Sequence, residues 1–346
     1  MALTSVSGVS SQELIVLSHG GGGEMTRRLL AEHIVPKLNN ALLSPLDDSA
    51  VVPVSSGRVA FTTDAFVVQP LEFAGGDIGR LAVCGTVNDL AVMGAVPKAL
   101  SLALVIEEGL PMSVLDAVVD SIARTAQEAG VVIATGDTKV VEHRQGDGLT
   151  ITTAGIGEMR EGLDLGIQRI RPGDVVIVSG RIAEHGLAVM SAREGLMFDT
   201  SLQSDVAPLS ELIGGLIETG ADLKFLRDPT RGGLAGVLAD LAEETECSIE
   251  IEECAVPLSP VARHTAELLG LDPLTVANEG KCVIVVAAGD ADRVLQACHR
   301  HRLGRHAAVV GRFLAAGQPA LVELITRAGG RRIVQRPYGE ELPRIC

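Results

Sequence analysis

The chain alternates apolar strand-like runs with helix-like periodicity in two successive halves, and a polar stretch at residues 158–173 separates the halves. This stretch ends in Arg171-Pro172-Gly173-Asp174, a turn sequence, before a new apolar run begins at Val175. At 346 residues the chain exceeds the size of most single hydrophobic cores. The pattern therefore predicts an α+β protein of two domains.

Hydrophobic periodicity places the individual elements. Predicted strands cover residues 51–54, 59–63, 99–106, 131–135, 149–157, 175–179, 248–252, 282–287 and 320–325. Predicted helices cover residues 78–93, 113–129, 184–193, 208–218, 232–244 and 291–302. Small side chains fill the first of these helices, which predicts close packing against its neighbours.

Composition excludes several functional classes. Aromatic residues make up 2% of the chain and the net charge is −15, which argues against a nucleic-acid partner. We find no secretory signal and no apolar run long enough to cross a bilayer, so we expect a cytoplasmic protein without a membrane partner. The six cysteines form no CxxC pair, and we expect reduced thiols.

The chain ends in a cysteine, Cys346. Pro337, Gly339 and Pro343 precede it and prevent a continuing helix, so the last residues are predicted to be extended or turned. By itself this is typical of a frayed terminus. Such a tail could also carry its thiol into an active site and out again.

A glycine run lies near the other end of the sequence. His19 is followed by Gly20, Gly21, Gly22 and Gly23. Such a loop exposes main-chain N–H groups that can surround phosphates, although a flexible linker has the same composition.

Aspartates recur where apolar runs end. They are Asp47 and Asp48 in LDDSAVV, Asp64 in TTDAFVV, Asp89 in TVNDLAVMGA and Asp137 in TGDTK. Any one of them is typical of a turn or a helix cap. Together they indicate a shared cleft in which carboxylates hold Mg²⁺ on a phosphate ligand.

Three further segments carry polar side chains beside glycine or an apolar run. The segment from Asp228 to Leu234 places Asp228 and Thr230 just before Gly232 and Gly233, where a helix begins; this is typical of an anion site and equally of an ordinary capped helix. Lys139 follows Asp137 by two residues, so both face the same side of a strand. Glu279 lies in a turn before the strand at 282–287.

Taken in order, these motifs resemble one known family. The glycine run, LDDSAVV, TTDAFVV, GTVNDLAVMGA, TGDTKVV, RDPTRGGLA, NEGK and the terminal PRIC cover nearly the whole chain. They resemble the HypE-type carbamoyl dehydratases of nickel–iron hydrogenase maturation. That family is similar to aminoimidazole ribonucleotide synthetase and selenophosphate synthetase. The selenophosphate synthetases usually carry a reactive Cys near the glycine loop, whereas no cysteine precedes Cys84 here.

The resemblance implies a domain organisation. It would comprise a glycine-rich segment at 1–40, an ATP- and Mg²⁺-binding mixed α/β domain at 41–165, an α+β domain at 166–335 and a mobile tail at 336–346. The first domain is expected to pair in a homodimer, as in the AIR-synthetase-like fold.

The resemblance also implies an activity. ATP-dependent removal of water from a carbamoyl group on Cys346 would give a thiocyanate. The group would come from the carbamoyltransferase HypF, and the cyanide would pass to iron on a HypC–HypD scaffold.

Residue roles follow from the same resemblance. The catalytic set would be Cys346, Lys139 and Glu279. ATP and phosphate would be bound by His19, Gly20, Gly21, Gly22, Gly23, Asp64, Asn88, Asp89, Asp137, Asp228, Thr230, Gly232 and Gly233. Mg²⁺ would be held by Asp47, Asp48, Asp64, Asp89 and Asp137.

Three alternatives remain open at this stage. An ATP-dependent relative could act on a free small molecule, in which case Cys346 would be dispensable. A non-catalytic carrier would use the tail thiol without turning over ATP. A metal-delivery protein would use Cys298, His299 and His301, although these are also typical of a helix C-terminus.

Overall fold

A computed structural model describes residues 23–34, 45–54, 57–195, 202–315, 320–339 and 345–346. Within these ranges the chain forms two domains that meet along a shared core. No helix of the described residues is long and apolar enough to cross a membrane.

The N-terminal domain is built on a mixed five-stranded sheet, in the order β1-β2-β7-β5-β6. Its strands are β1 (Ala50–Val54), β2 (Gly57–Phe66), β5 (Ala95–Glu107), β6 (Val132–Val141) and β7 (Leu149–Met159). A separate two-stranded ribbon comprises β3 (Glu72–Phe73) and β4 (Gly76–Asp77). β5 and β6 are parallel and the other neighbours are antiparallel.

Helices cover one face of this sheet. Helix α2 (Ile78–Val92) and helix α3 (Met112–Ala129) pack on the sheet. Helix α1 (Glu24–Leu29), near the N-terminal end of the sequence, continues into a π-helical turn (Leu30–Ile34). Asp77 caps α2 by accepting N–H bonds from Gly79 at 2.8 Å and Arg80 at 3.0 Å.

The opposite face of the sheet is open. Along β2, Phe61, Thr63 and Ala65 are exposed, whereas Ala60, Thr62 and Phe66 are buried. This alternation is expected of a sheet with one covered face.

The C-terminal domain has a seven-stranded sheet in the order β14-β13-β10-β12-β8-β11-β9. The strands are β8 (Val175–Val178), β9 (Leu223–Arg227), β10 (Ile249–Glu252), β11 (Val283–Val286), β12 (Ala308–Phe313), β13 (Val322–Ile325) and β14 (Arg331–Val334). The helices are α4 (Glu184–Arg193), α5 (Ser210–Glu218), α6 (Gly233–Thr245), α7 (Pro260–Leu269) and α8 (Ala291–Arg300). Helix α6 packs on one face, and α5 and α8 pack on the other.

The two domains share buried residues. Leu187 of α4 and Val276 join the core that contains Leu81 of α2. The Asn88 side chain ties the domains further, donating to the carbonyls of Ala207 and Glu279 at 3.1 Å and accepting the Leu209 N–H at 2.8 Å.

Most predicted elements are confirmed within a few residues at each end. Helix 78–93 ends one residue earlier, and strand 131–135 extends to Val141. Several elements were not predicted from the sequence: the short helix α1, the ribbon of β3 and β4, the strands β9 and β12, and the helix α7. The hairpin joining 51–54 to 59–63 is confirmed as antiparallel pairing, with residues 55–56 outside the described ranges.

Candidate active site

Four aspartates from both domains converge at one cavity. Asp48 precedes β1, Asp64 lies on β2, Asp89 lies on α2 and Asp228 directly follows β9. All four line a cavity of about 390 Å³. Ligand oxygens of Asp48, Asp89 and Asp228 lie within 4.8 Å of one another.

Threonine hydroxyls hold two of these carboxylates in place. The Thr62 hydroxyl lies 2.9 Å from a carboxylate oxygen of Asp89 and 2.9 Å from the main-chain oxygen of Asp48. Thr86 donates to Asp64 at 2.7 Å. Both threonines are buried, so the carboxylate positions are set by the fold itself.

Crowding and burial perturb these groups. Burial raises the pKa of Asp228 to about 8, and the charge on Asp48 adds to the effect. Burial, with the charges on Asp64 and Asp228, also raises the pKa of Asp89 well above its ordinary value. A cluster of this kind is stabilised by a cation that neutralises it.

The cluster suits Mg²⁺ better than a softer metal. Its closest three donors are carboxylate oxygens from separate elements, and no other group of His, Cys, Asp or Glu among the described residues is close enough to hold a metal. Mg²⁺ prefers hard oxygen ligands and keeps positions for phosphate and water. Asp228, predicted to contact phosphate, therefore joins Asp48 and Asp89 as a candidate metal ligand.

Arginines balance part of the negative charge. Arg227 lies 3.2 Å from Asp48 and 3.6 Å from Asp240. Arg231 lines the same cavity, and its pKa is raised, chiefly by the negative charge of Cys346 and then by Asp64. Neither arginine was a predicted site residue, although both lie inside the RDPTRGGLA motif.

Glu279 is buried at the cavity wall. It is 2% exposed, and its Oε1 has no hydrogen-bond partner among the described residues. Burial, followed by the charges on Asp228 and Asp205, raises its pKa well above the ordinary value. The raised pKa makes the ionised Glu279 side chain a stronger base than an exposed carboxylate.

The end of the tail lies inside the cavity. Ile345 is 3% exposed and packs in the core shared by the domains. Cys346 lines the cavity together with Glu279 and the four aspartates. The tail is therefore docked in this structure, a point that the sequence left open.

Asp137 and Lys139 lie elsewhere in the protomer. Both are exposed in the middle of β6, at the edge of the sheet, and both point to its open face, whereas Asp64 faces the helices. The row of paired residues from Asp64 to Gly136 crosses β7 and β5, a span of three strand spacings or about 14 Å. Within one protomer Asp137 therefore lies apart from the other aspartates, and its role at the metal stays a prediction. The motif alone does not reveal which face of the sheet Asp137 occupies.

Three other residues predicted to bind the cofactor have roles in the fold itself. Asn88, expected at the cofactor, is 0% exposed. Its side-chain amide hydrogen-bonds to the three main-chain groups that tie the domains together. Gly232 and Gly233 have φ values of +80° and +60°, and a Cβ on Gly233 would lie 2.6 Å from the Leu274 and Val276 carbonyls. These two glycines allow a tight turn, and neither lines the cavity, whereas Thr230 does.

The remaining predictions fall at the cavity edge or beyond the described residues. Asp47 is exposed and lies outside the carboxylate group. His19, Gly20, Gly21 and Gly22 lie outside the described ranges. Gly23 is tightly packed, since a Cβ there would lie 2.2 Å from the Pro337 carbonyl oxygen.

Comparison with known proteins identifies the fold family. Residues 46–159 match "AIR synthase related protein, N-terminal domain", and residues 171–322 match its C-terminal domain. Carbamoyl dehydratase HypE of Rhizobium leguminosarum bv. viciae is 48% identical over 333 residues, covering 96% of this chain and 95% of the relative. The chain belongs to the HypE family of carbamoyl dehydratases. The two-domain AIR-synthetase-like fold expected from the sequence is thereby confirmed.

Solved HypE structures agree in fold. A HypE–HypF complex matches with a TM-score of 0.84 and 44% identity, covering 89% of this chain and 99% of that one. A HypE in complex with ATP matches with a TM-score of 0.81 and 39% identity, covering 96% of this chain and all of that one.

Proposed function

We propose that this chain uses ATP to remove water from a carbamoyl group carried on the Cys346 thiol, leaving a thiocyanate on the same sulfur. The observation that carries this proposal is the position of Cys346, which lines one cavity with Glu279 and the carboxylate group. The family relationship supports it, because the relatives are named carbamoyl dehydratases and one was solved with ATP.

The reaction requires ATP because hydroxide is a poor leaving group from an amide carbon. The carbamoyl oxygen attacks the γ-phosphorus of ATP, and the bond to ADP breaks. The nitrogen loses one proton as the imidate phosphate forms and its second proton as the C–O bond breaks. The products are a nitrile carbon on sulfur, inorganic phosphate and ADP.

The residues divide this work. Asp48, Asp89 and Asp228, with Asp64 beside them, would hold Mg²⁺ against the phosphates, where the ion supplies neutralising positive charge. Glu279 would take the protons from nitrogen, since it lines the same cavity as Cys346 and one of its carboxylate oxygens has no hydrogen-bond partner among the described residues. Arg231 would balance the negative charge near the tail.

We propose further that the enzyme is a homodimer in which Lys139 reaches the active site from the partner protomer. The open face of the N-terminal sheet exposes Phe61, Val105, Val132 and Ile156 beside Lys139. A second copy of this face would bury those apolar side chains and bring Asp137 and Lys139 against a neighbouring protomer.

Subunit mixing tests the shared site. Lys139→Ala and Glu279→Gln would each be inactive alone. If Lys139 acts across the interface, mixed dimers of the two variants regain about a quarter to half of wild-type activity, because one of their two sites is intact. Mixtures that stay inactive after verified subunit exchange would contradict the assignment.

Partners follow from the proposed cycle. A HypF-type carbamoyltransferase would load Cys346, as the solved HypE–HypF complex indicates for relatives, and a HypC–HypD complex would receive the cyanide. All of this would take place in the cytoplasm, a proposal supported by the absence of any disulfide among the described residues.

Intact-protein mass spectrometry tests the proposal. The wild type and Cys346→Ala are incubated with the carbamoyltransferase, carbamoyl phosphate and Mg-ATP. We expect a carbamoyl adduct that loses one water only when ATP is present and that never appears on the alanine variant. An unmodified tail with ATP still consumed would favour a free small-molecule substrate, and a stable adduct without ATP turnover would favour a carrier.

Metal delivery by Cys298, His299 and His301 has less support. Cys298 is 0% exposed, and the His299 ring nitrogen already bonds the Ala307 carbonyl at 2.9 Å.

A further inference from the structure

A buried histidine contacts the tail one residue before the terminal thiol. His185, in the first turn of α4, is 0% exposed. Its ring meets Phe73 edge-on, with centroids 5.4 Å apart and planes at 84°. The surrounding core fixes the ring plane, so its two nitrogens have defined directions.

Both ring nitrogens have partners. Nε2 lies 2.8 Å from the main-chain oxygen of Ile345, and Nδ1 lies 2.8 Å from the Ser204 hydroxyl. A carbonyl oxygen only accepts, so Nε2 carries the hydrogen. Ser204 also accepts the Val206 N–H at 3.1 Å, which leaves its own hydrogen for Nδ1. The neutral tautomer of His185 with its hydrogen on Nε2 therefore gives every donor and acceptor in this series of hydrogen bonds a partner.

The main-chain oxygen of Ile345, in the tail, is the acceptor at one end of this series of hydrogen bonds. When the tail withdraws, the Nε2–H of His185 loses its carbonyl acceptor inside a buried site, which is unfavourable. Ile345 is itself buried in the shared core. The hydrogen bond and the apolar contact therefore favour the docked position of the adjoining Cys346.

The same loop also supports Glu279. Asp205 follows Ser204 and accepts the main-chain N–H of Glu279 at 3.1 Å. Asp205 also pairs with the buried Lys281 at 3.1 Å. One loop therefore contacts both the histidine that meets the tail and the main chain of Glu279, which lines the cavity together with Cys346.

We propose that His185 is a positioning residue that holds the tail so that the group on Cys346 lies against Glu279. The proposal rests on the proposed function for its catalytic consequence, but the docking itself can be measured in the unmodified protein.

Thiol alkylation measures docking directly. Cys254 is exposed, whereas Cys84, Cys247, Cys282 and Cys298 are buried, so a Cys254→Ser background leaves Cys346 as the accessible thiol. In that background His185→Leu should raise the iodoacetamide rate at Cys346 about fivefold to tenfold, as expected for loss of one buried hydrogen bond. His185→Gln keeps an N–H near the position of Nε2 and should stay within about twofold of the parent.

A second measurement separates positioning from folding. With protein already carbamoylated, His185→Leu should slow the ATP-dependent loss of water about tenfold, while carbamoylation by the transferase is unchanged or faster. A purely structural defect would slow both steps and lower the melting temperature of the Gln variant as well. Ser204→Ala provides a second route if the Leu variant fails to fold, with the same direction and a smaller size.

The outcomes are distinct for the two proposals. Equal alkylation rates in the parent, the Leu variant and the Ala variant would overturn the role of His185, whatever the catalytic result. A wild type that carries a carbamoyl group and never loses water with ATP would overturn the proposed function, and the alkylation result would stand independently.

Discussion

At the scale of single residues, the site depends on carboxyl groups held away from water. Glu279 is buried with an unpartnered oxygen, and Asp228 shares its surroundings with Asp48 and Asp89. Burial raises the pKa of Asp89, Asp228 and Glu279. Burial therefore suits Glu279 to its proposed role as a base and suits the three aspartates to the proposed cation site.

Replacing Glu279 with Gln tests the base. The amide keeps the shape of the side chain and removes the proton acceptor, so the ATP-dependent loss of water should fall about 10²- to 10⁴-fold. Carbamoylation of Cys346 should be unaffected in the same mass-spectrometric assay. Glu267→Gln, a matched change at an exposed site on α7, should leave both steps intact. Retention of full dehydration in Glu279→Gln would assign the base elsewhere.

The raised pKa of Asp228 predicts how stability varies with pH. Its folded-state pKa of about 8 lies above the unfolded value, so the folded state binds more protons between pH 4 and 8. Without Mg²⁺, the free energy of unfolding should therefore fall as pH rises through this window. Saturating Mg²⁺ should flatten the trend, and Asp228→Asn should reduce it; urea unfolding in chelator and in magnesium measures both. A metal-free stability that rises from pH 6 to 8 would contradict the assignment.

At the scale of elements, α2 positions the site because its small side chains let it pack closely against the sheet. Its residues from Leu81 to Asn88 are all buried, and a Cβ on Gly85 would lie 2.8 Å from the Phe66 ring. This close approach to β2 brings Asp89 beside Asp64. The small residues of α2 are thus needed for the geometry of the carboxylates.

A pair of glycine substitutions tests that requirement. Gly85→Ala should destabilise the protein by about 1–3 kcal/mol through overpacking and should weaken ATP binding. Gly215→Ala, in α5 with open space around its Cβ position, should stabilise it by about 0.5–1 kcal/mol. Chemical denaturation distinguishes the signs, and two equal effects would show that the contact with Phe66 is unimportant.

Sequence patterns predicted what is local. The bounds of α4 and the close packing of α2 follow from periodicity and side-chain size. The shared cleft of Asp48, Asp64 and Asp89 was predicted because each of them lies where an apolar run ends. Features that depend on distant partners were missed. Arg336 binds Glu24, 312 residues away, and His185 meets Ile345, 160 residues away. No spacing within the sequence encodes such contacts.

At the scale of the whole molecule, the sheet of the N-terminal domain leaves one apolar face uncovered in a single protomer. Its open face presents Phe61, Ile156 and Val132 to solvent, in one row of paired residues that crosses β5 at Ala99. A contiguous apolar face of this kind is typical of an association surface.

An aspartate on that face should separate the protomers. If the proposed dimer forms through this face, Ile156→Asp should give a monomer by light scattering and should abolish the proposed dehydration, because Lys139 would no longer reach the partner's site. Ile333→Asp is the matched control, since Ile333 is 49% exposed on β14 and Ile156 is 46% exposed on β7. Unchanged mass in the Ile156 variant would exclude this face as the interface.

The attachment of the tail determines how far it can reach. The main-chain N–H groups of Glu24 and Met25 bond the carbonyls of Pro337 and Tyr338 at 3.0 and 3.1 Å, and Arg336 pairs with Asp240. Seven residues follow Gly339, and a chain of that length spans about 25 Å when fully extended. If Cys346 is loaded as proposed, the loading enzyme must bring its catalytic centre within about 25 Å of Gly339. Chain length, as well as the surfaces in contact, would then limit the geometry of each complex.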